Sequence, residues 1–308
     1  MEKFFNNKNL LEFIWKWKWI YVIFILLAVI MAVIFSGQAF IKPKFKSEAI
    51  VYPVNLKEYS NESNTEQMLQ VLQSKQLKLM LIKSFNLYSH YAINKKYKYA
   101  QTAVLNELND NISISKTPYE SVRIEVLDYF PDTAKMMVDS IIVFYNHIVR
   151  TFQKVKYKEV IDINKVQIKK IKEENDSLKT VLIKYREAYN LYDPRLQAKQ
   201  ITEQYLKSKD INASRLYQNL IKHSEDITIT DSLMQANIKR LITYKYQLDE
   251  VIKEYKKNIT YANIISAPIV ADKKSYPIRW IIVLLSVLGT FLFTFITLVF
   301  YESIQKKI

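Results

Sequence analysis

Hydrophobic residues gather at the two ends of this chain and follow helical or alternating patterns in between. Trp19 to Ile41 and Trp280 to Tyr301 carry no charge, and run 23 and 22 residues between Lys18 and Lys42 and between Arg279 and Glu302. At about 1.5 Å per residue, 22 helical residues reach roughly 33 Å, enough to cross a hydrocarbon core of about 30 Å. Both runs are expected to span a membrane. The first could instead be a cleaved secretory signal, since lysines precede it and SGQA, residues 36 to 39, resembles a small-residue cleavage site. Its apolar run is longer than the usual signal core, which favours a span. Aromatic residues stand where an interface would be: Trp15, Trp17, Trp19 and Tyr21 at one end, Tyr276, Trp280, Phe300 and Tyr301 at the other.

Between the spans the period changes several times. FKSEAIVYP, residues 45 to 53, sets Phe45, Ser47, Ala49 and Val51 against Lys46, Glu48, Ile50 and Tyr52, and so reads as a strand closed by Pro53. A polar loop over 54 to 64 leads to a helix capped at Asn64, with Gln67 three residues on, which continues through Met68, Leu69, Leu72, Leu77, Leu79 and Ile82 to about Leu87. A weaker helix is expected over Lys95 to Asn109, then a hairpin of Asn111 to Lys116 and Ser121 to Leu127, turned at Thr117-Pro118-Tyr119.

Pro131 and Asp132 suit a helix start. Helical periodicity then lasts about 60 residues, and Ile171, Leu178, Val181, Tyr185 and Ala188 are spaced as a coiled-coil seam, with a phase slip near 156 to 168. Tyr192-Asp193-Pro194 is the strong breaker. A second helical stretch follows from Arg195 to Asn258, with a softer patch at ITIT, residues 227 to 230. YANIISAPIV, residues 261 to 270, reads as a return strand. The strands nearest the two spans are expected to join the hairpin in one sheet.

The fold class expected is therefore an α+β membrane protein: two transmembrane helices flanking a domain with a small membrane-proximal mixed sheet and a long coiled-coil helical hairpin. Its parts are a tail over 1–18, spans over 19–41 and 278–301, a base formed by 42–131 and 261–277, a hairpin over 132–260 with arms of 132–192 and 195–260, and a tail over 302–308. Lysines flank both spans, so charge alone nearly ties the orientation. The short basic amino-terminal tail and the ease with which long domains cross place both termini in the cytoplasm.

Composition narrows the chemistry by what it lacks. The chain's two glycines are Gly37 and Gly289, so residues 42–278 contain none. Neither the P-loop nor the dinucleotide fingerprint can be written without glycine, because backbone amides must approach the phosphate closely. His90, His147 and His223 are far apart and lack zinc or iron spacing, there is no Gly-x-Ser-x-Gly elbow, and the chain has no cysteine. No catalytic, cofactor-binding or metal residue is expected, and the protein is read as not an enzyme. The net charge is +15; the tails hold +2 and +1 of it, which leaves +12 for the middle. Such charge suits acidic polysaccharide or anionic headgroups, although solvation of long helices accounts for most of it, and nucleic acid is a poor candidate.

The order LLEFIWKWKW, apolar span, FKSEAIVYP, LQSKQLKLMLIKSFNL, SVRIEVLDYFPDTAKMMVDSIIVFYN, coiled arms, APIVADKKSYPIRW and a span containing LSVLG resembles the Wzz-type chain-length determinants, the polysaccharide co-polymerases. The most specific part is the proline segment running into a glycine-bearing last span: Pro268, Pro277 and Gly289. The segment has fewer prolines than the family pattern, with Lys273-Lys274 near an expected one. The resemblance implies a two-pass protein of the bacterial inner membrane with a periplasmic middle. It implies a homo-oligomeric ring that sets the length of O-antigen, capsule or exopolysaccharide chains by acting on the polymerase of lipid-linked glycan. Pro268, Pro277 and Gly289 become candidate partner contacts. Relatives with a cytoplasmic tyrosine kinase carry it after the second span, so a kinase partner here is expected to be a separate protein. The rival reading is a sensor or adaptor that activates such a kinase.

Overall fold

A computed structural model describes residues 7–38, 40–56, 62–208 and 210–305. The protein divides into two compact units, one of residues 1–148 and 260–308, the other of residues 149–259.

The first unit opens with α1 (Asn7–Lys16) and α2 (Lys18–Phe35), separated at Trp17. α2 is shorter than the expected span of 19–41, because the chain leaves the helix at Ser36-Gly37. Ser36 Oγ donates to the Val33 carbonyl at 3.2 Å, and the Gly37 amide donates to that of Ile34 at 3.0 Å. A Cβ on Gly37 would sit 2.8 Å from the Ile34 oxygen, so this close turn requires glycine. At the other end α10 (Arg279–Gln305) is longer than the expected 278–301 span. α2 and α10 are the two helices long and apolar enough to cross a membrane among the described residues. They pack together, with Tyr21 and Leu298 buried, Phe13 of α1 buried in the same cluster, and Tyr21 against Phe291 at a ring distance of 5.3 Å.

Strand β1 (Phe45–Pro53) has the expected bounds and face: Ser47, Ala49, Val51 and Pro53 are buried. The helix expected over 64–87 is instead three, α3 (Asn64–Leu72), α4 (Lys75–Ser84) and α5 (Leu87–His90). Its cap is Ser63, one residue earlier than expected, in a full capping box with Glu66. The break after α3 comes from Ser74, whose hydroxyl accepts from the Leu77 amide and starts α4, a competition with helix continuation that apolar periodicity does not register. The expected 54–64 loop lies partly outside the described residues. α6 (Ala100–Asn111) begins later and ends later than the expected Lys95–Asn109, burying Ala100, Val104 and Leu108.

Strands β2 (Ile112–Lys116) and β3 (Val122–Asp128) form the hairpin, then α7 (Pro131–Tyr189) runs 59 residues without interruption across the expected phase slip. β4 (Ala262–Ser266) returns to the sheet. The strand order is β2-β3-β1-β4, which joins the strands nearest the two apolar helices and the hairpin in one sheet as expected. Every pairing is antiparallel, however, so the sheet is not mixed: β1 pairs β3 with Ala49 opposite Ile124, and pairs β4 with Val51 opposite Ile264. Each connection between neighbouring strands brings the chain back in the opposite direction, and a parallel pair never arises.

The second unit holds the rest of α7 with α8 (Pro194–Ser208) and α9 (Ile211–Lys256). The expected second arm is broken, because Asp210 caps α9 by accepting from the Asn212 and Ala213 amides. The ITIT patch, by contrast, is continuous helix, held at Thr230 by a hydroxyl bond to the Asp226 carbonyl. Leu182, Leu191, Ile201, Leu220 and Ile227 form this unit's apolar cluster. Tyr189 stacks on His223 at 3.7 Å, Arg186 pairs with Asp231 at 3.2 Å, and Asn219 donates to the Tyr189 carbonyl. His223 is thus half-buried and stacked on a neighbouring ring.

Candidate functional site

Between the two apolar helices and the sheet lies a group of mutually bonded polar residues centred on Lys44. Its backbone pairs with the segment before α10: the Lys44 amide donates to the Tyr276 carbonyl at 3.1 Å, and the Lys44 carbonyl accepts from Ser275 and Tyr276. Its side chain reaches the other way, where Nζ donates to Asn111 Oδ1 at 2.6 Å and lies 3.3 Å from Glu107 Oε1. Asn111 Nδ2 also donates to Glu107, and Asn111 is buried. One residue therefore ties the chain leaving α2 to the chain entering α10 and to the end of α6. Because Lys44 is largely buried, its ammonium is compensated by a carboxylate, an amide and the face of Tyr129 at 5.3 Å.

Beside it, His90 Nε2 lies 2.7 Å from Asp128 Oδ2, and Asp128 Oδ1 accepts from the Phe130 amide at 3.0 Å. Asp128 has no exposed side chain, so this bond pair holds the turn from β3 into α7. Burial pushes the Tyr91 hydroxyl above its ordinary value, opposed by the Asn111 side chain. Lys44, Glu107, Asn111, His90 and Asp128 are spoken for by their partners, whereas the buried Tyr91 hydroxyl has no hydrogen-bond partner among the described residues. Among the described residues no cluster of histidine and carboxylate side chains could hold a metal ion.

The three sequence candidates fall into two kinds of place. Pro268 and Pro277 are buried, on either side of the link from β4 to α10. At Pro268 the chain has left the ladder, and the buried Ser47 hydroxyl holds it by donating to the Ile269 carbonyl at 2.8 Å. Pro277 follows a cis peptide bond directly after the Lys44 bridge. Gly289 is apart from both, exposed on α10, and a Cβ built there meets no atom within 4 Å. It takes no part in the packing of α2 on α10. Sequence reasoning missed Lys44, Glu107, Asn111, His90 and Asp128, which lie on four different elements or links.

On the far side of the apolar helices, Lys16 Nζ meets Glu302 Oε1 at 2.8 Å, and Trp17 meets Tyr301 edge to face at 6.0 Å. The start of α2 and the end of α10 therefore lie together. Lys16 and Glu302 thus lie at the same end of the helix pair. Residues 5–95 match the Wzz family model, the chain length determinant protein. The matched stretch runs from α1 through β1 to α5, so it includes Lys44 and His90.

Among curated proteins none matches the chain in sequence. Among solved structures it is similar to a full-length bacterial polysaccharide co-polymerase at 15% identity, over 98% of this chain and 99% of that one, with a TM-score of 0.46. A fragment of the polysaccharide co-polymerase WzzB from Salmonella Typhimurium is 14% identical over 76% of this chain and all of its own, with a TM-score of 0.32. The wild-type O-antigen chain-length regulator WzzBSF of Shigella flexneri is 13% identical over 75% of this chain and all of its own, with a TM-score of 0.30. At these scores the structural likenesses carry no argument, and the family match rests on residues 5–95.

Proposed function

We propose that this chain is a non-enzymatic regulator of polysaccharide chain length in the bacterial inner membrane. It crosses the membrane twice, with both termini in the cytoplasm and the middle in the periplasm. In this reading copies of the chain assemble into a ring, and the ring acts on the polymerase that elongates lipid-linked glycan. The observation that carries the reading is the Wzz family match over residues 5–95. The side-by-side tails at Lys16 and Glu302 and the Lys44 clasp support it, because they give a two-pass anchor fastened to the sheet.

Within this reading Pro268 and Pro277 set the path of the link into α10, while Gly289 is the surface a polymerase helix approaches. A glycine on an exposed helix face permits close helix packing within a membrane. A Cβ built at this position meets no atom of the subunit within 4 Å. The test is made in a producing strain. Deleting the gene is expected to broaden the glycan length distribution, and the wild-type chain to restore it. Gly289→Leu is expected to leave protein level unchanged while shifting the distribution and reducing co-purification of the polymerase. An unaltered length distribution in the deletion strain defeats the function, whereas an unaltered distribution with Gly289→Leu alone defeats only the contact.

A further inference from the structure

Three aromatic contacts trace where the chain runs before it enters α2. Tyr21 meets Phe291, and four residues earlier Trp17 meets Tyr301, so the chain read backwards climbs toward the end of α10. A helix continuing α2 in a straight line would carry Phe13 beyond Tyr301. Phe13 instead packs edge to face on Phe295, with ring centres 5.8 Å apart. Phe295 is nearly two helical turns back along α10. The break at Trp17 therefore turns α1 onto the flank of α10, where Phe13 is buried and Ile14 half-buried.

The adjoining stripe of α1 has no such cover. Leu11 and Trp15, one turn apart, are 69% and 72% exposed. With Glu12 and Lys16 they line an open groove of about 440 Å³. Two cations stand beside these rings: Lys18 Nζ lies 4.4 Å from the centre of the Trp15 ring, and Lys16 Nζ 5.5 Å from that of Trp17. Lys16 is paired with Glu302. Lys18 is exposed and has no carboxylate partner among the described residues.

We propose that α1 lies in the membrane interface, with Leu11 and Trp15 seated among acyl chains and Lys18 holding the phosphate of an anionic phospholipid. The inference rests on the reading of α2 and α10 as membrane spans, and it adds a lipid site at the end of the pair that carries the tails.

Depth, residue chemistry and charge select lipid as the occupant. Phe295 stands seven residues before Glu302, inside the uncharged run of α10. At about 1.5 Å per residue that is roughly 10 Å, and interfacial helices seat their apolar face about 5–10 Å into the headgroup and acyl boundary. A helix packed on Phe295 is thus at the right depth. Tryptophan suits that level because its ring is amphipathic, and lysine because its stem is apolar while its ammonium reaches the headgroups. Glu302 is already matched by Lys16, which leaves the Lys18 ammonium beside an exposed indole as the surplus charge. A phosphodiester with acyl chains complements both features at once.

The chain has no cysteine, so single spin labels report depth in the full chain, reconstituted in nanodiscs of phosphatidylcholine and phosphatidylglycerol. Leu11→Cys, Glu12→Cys and Leu288→Cys place labels at exposed positions, the last on α10. The Leu11 and Leu288 labels are expected to be relaxed by oxygen more than by a water-soluble nickel complex, and the Glu12 label the reverse. A Leu11 label open to nickel while the Leu288 label is not overturns the placement of α1 alone. A Leu288 label open to nickel overturns the two-pass reading beneath it. For the phosphate, native mass spectrometry of the released chain is expected to show phosphatidylglycerol retained over phosphatidylcholine. Lys18→Gln should weaken that preference about fivefold, and Lys18→Arg should keep it. Equal retention of the two lipids by the unmodified chain, or an unchanged preference in Lys18→Gln, overturns the phosphate site.

Discussion

The two units are held together by different kinds of contact. In the first, partners come from distant parts of the sequence: β1 with β4, Lys44 with Tyr276 and Asn111, Lys16 with Glu302. Backbone ladders and charge-assisted bonds do much of the joining. In the second, helices that follow one another pack through side chains, and the cluster of Leu182, Leu191, Ile201, Leu220 and Ile227 spans fewer than 50 residues. Long-range contacts leave little room for adjustment, because each closes a large loop and fixes two elements at once. Local helix packing tolerates more. The first unit is thus expected to open as one cooperative block, and the second to loosen locally.

The largest effect that tests this contrast is expected from Ile124→Ala. Ile124 is fully buried in a central strand, and its truncation should cost about 3.5 kcal/mol. Hydrogen exchange should show lost protection across β1, β2 and β3 together, with α9 little changed; loss confined to β3 would break the picture of a cooperative first unit. Next is Asp128→Ala, which removes both the His90 bond and the Phe130 cap, with an expected cost of about 2.5 kcal/mol in chemical denaturation. Asp128→Asn should recover part of that, since it can keep one of the two bonds.

Ile201→Ala probes the other unit. It should cost about 2 kcal/mol, and the exchange change should stay within α8, the facing part of α9 and the end of α7. Spread of that change into β1 would mean the units fold as one. The smallest effect concerns pH. Lys46, bonded at 2.9 Å, holds the Glu48 carboxyl below the usual carboxylate range. A lowered folded value means this contribution is present above the ordinary glutamate value of about 4.3 and fades as pH falls through the lower one. Both side chains are partly exposed, so the contribution is within about 0.5 kcal/mol. As pH falls below the ordinary glutamate value, Glu48→Gln should flatten that part of the stability profile and leave the rest unchanged.

The same contrast explains which features were legible beforehand. β1 was readable to the residue because alternation at Ser47, Ala49 and Val51 is a local signal, and Pro131 marked the start of α7 for an equally local reason. The breaks at Ser74 and Asp210 were missed because a single side-chain oxygen, not a change of apolar period, ends the helix there. The end of α2 at Gly37 lay inside an uncharged run, where hydropathy has no contrast to offer. The candidates Pro268, Pro277 and Gly289 came from the resemblance of the segment that holds them to a family pattern. Lys44, one lysine among many, had nothing local to distinguish it from a solvated one.

Sequence alone determined that this chain has two apolar helices, a long helical middle, strands close to both ends of it, and no glycine or cysteine with which to build several common kinds of active site. These follow from hydropathy, period and residue chemistry, which are properties of short stretches. The tertiary structure decided that the sheet is antiparallel throughout and that Lys44 faces Asn111 and Tyr276. It also decided that Gly289 is open on α10, and that β4 lies at the edge of the sheet. Each of these depends on which distant segment lies alongside, and that is set by how all the buried faces pack at once.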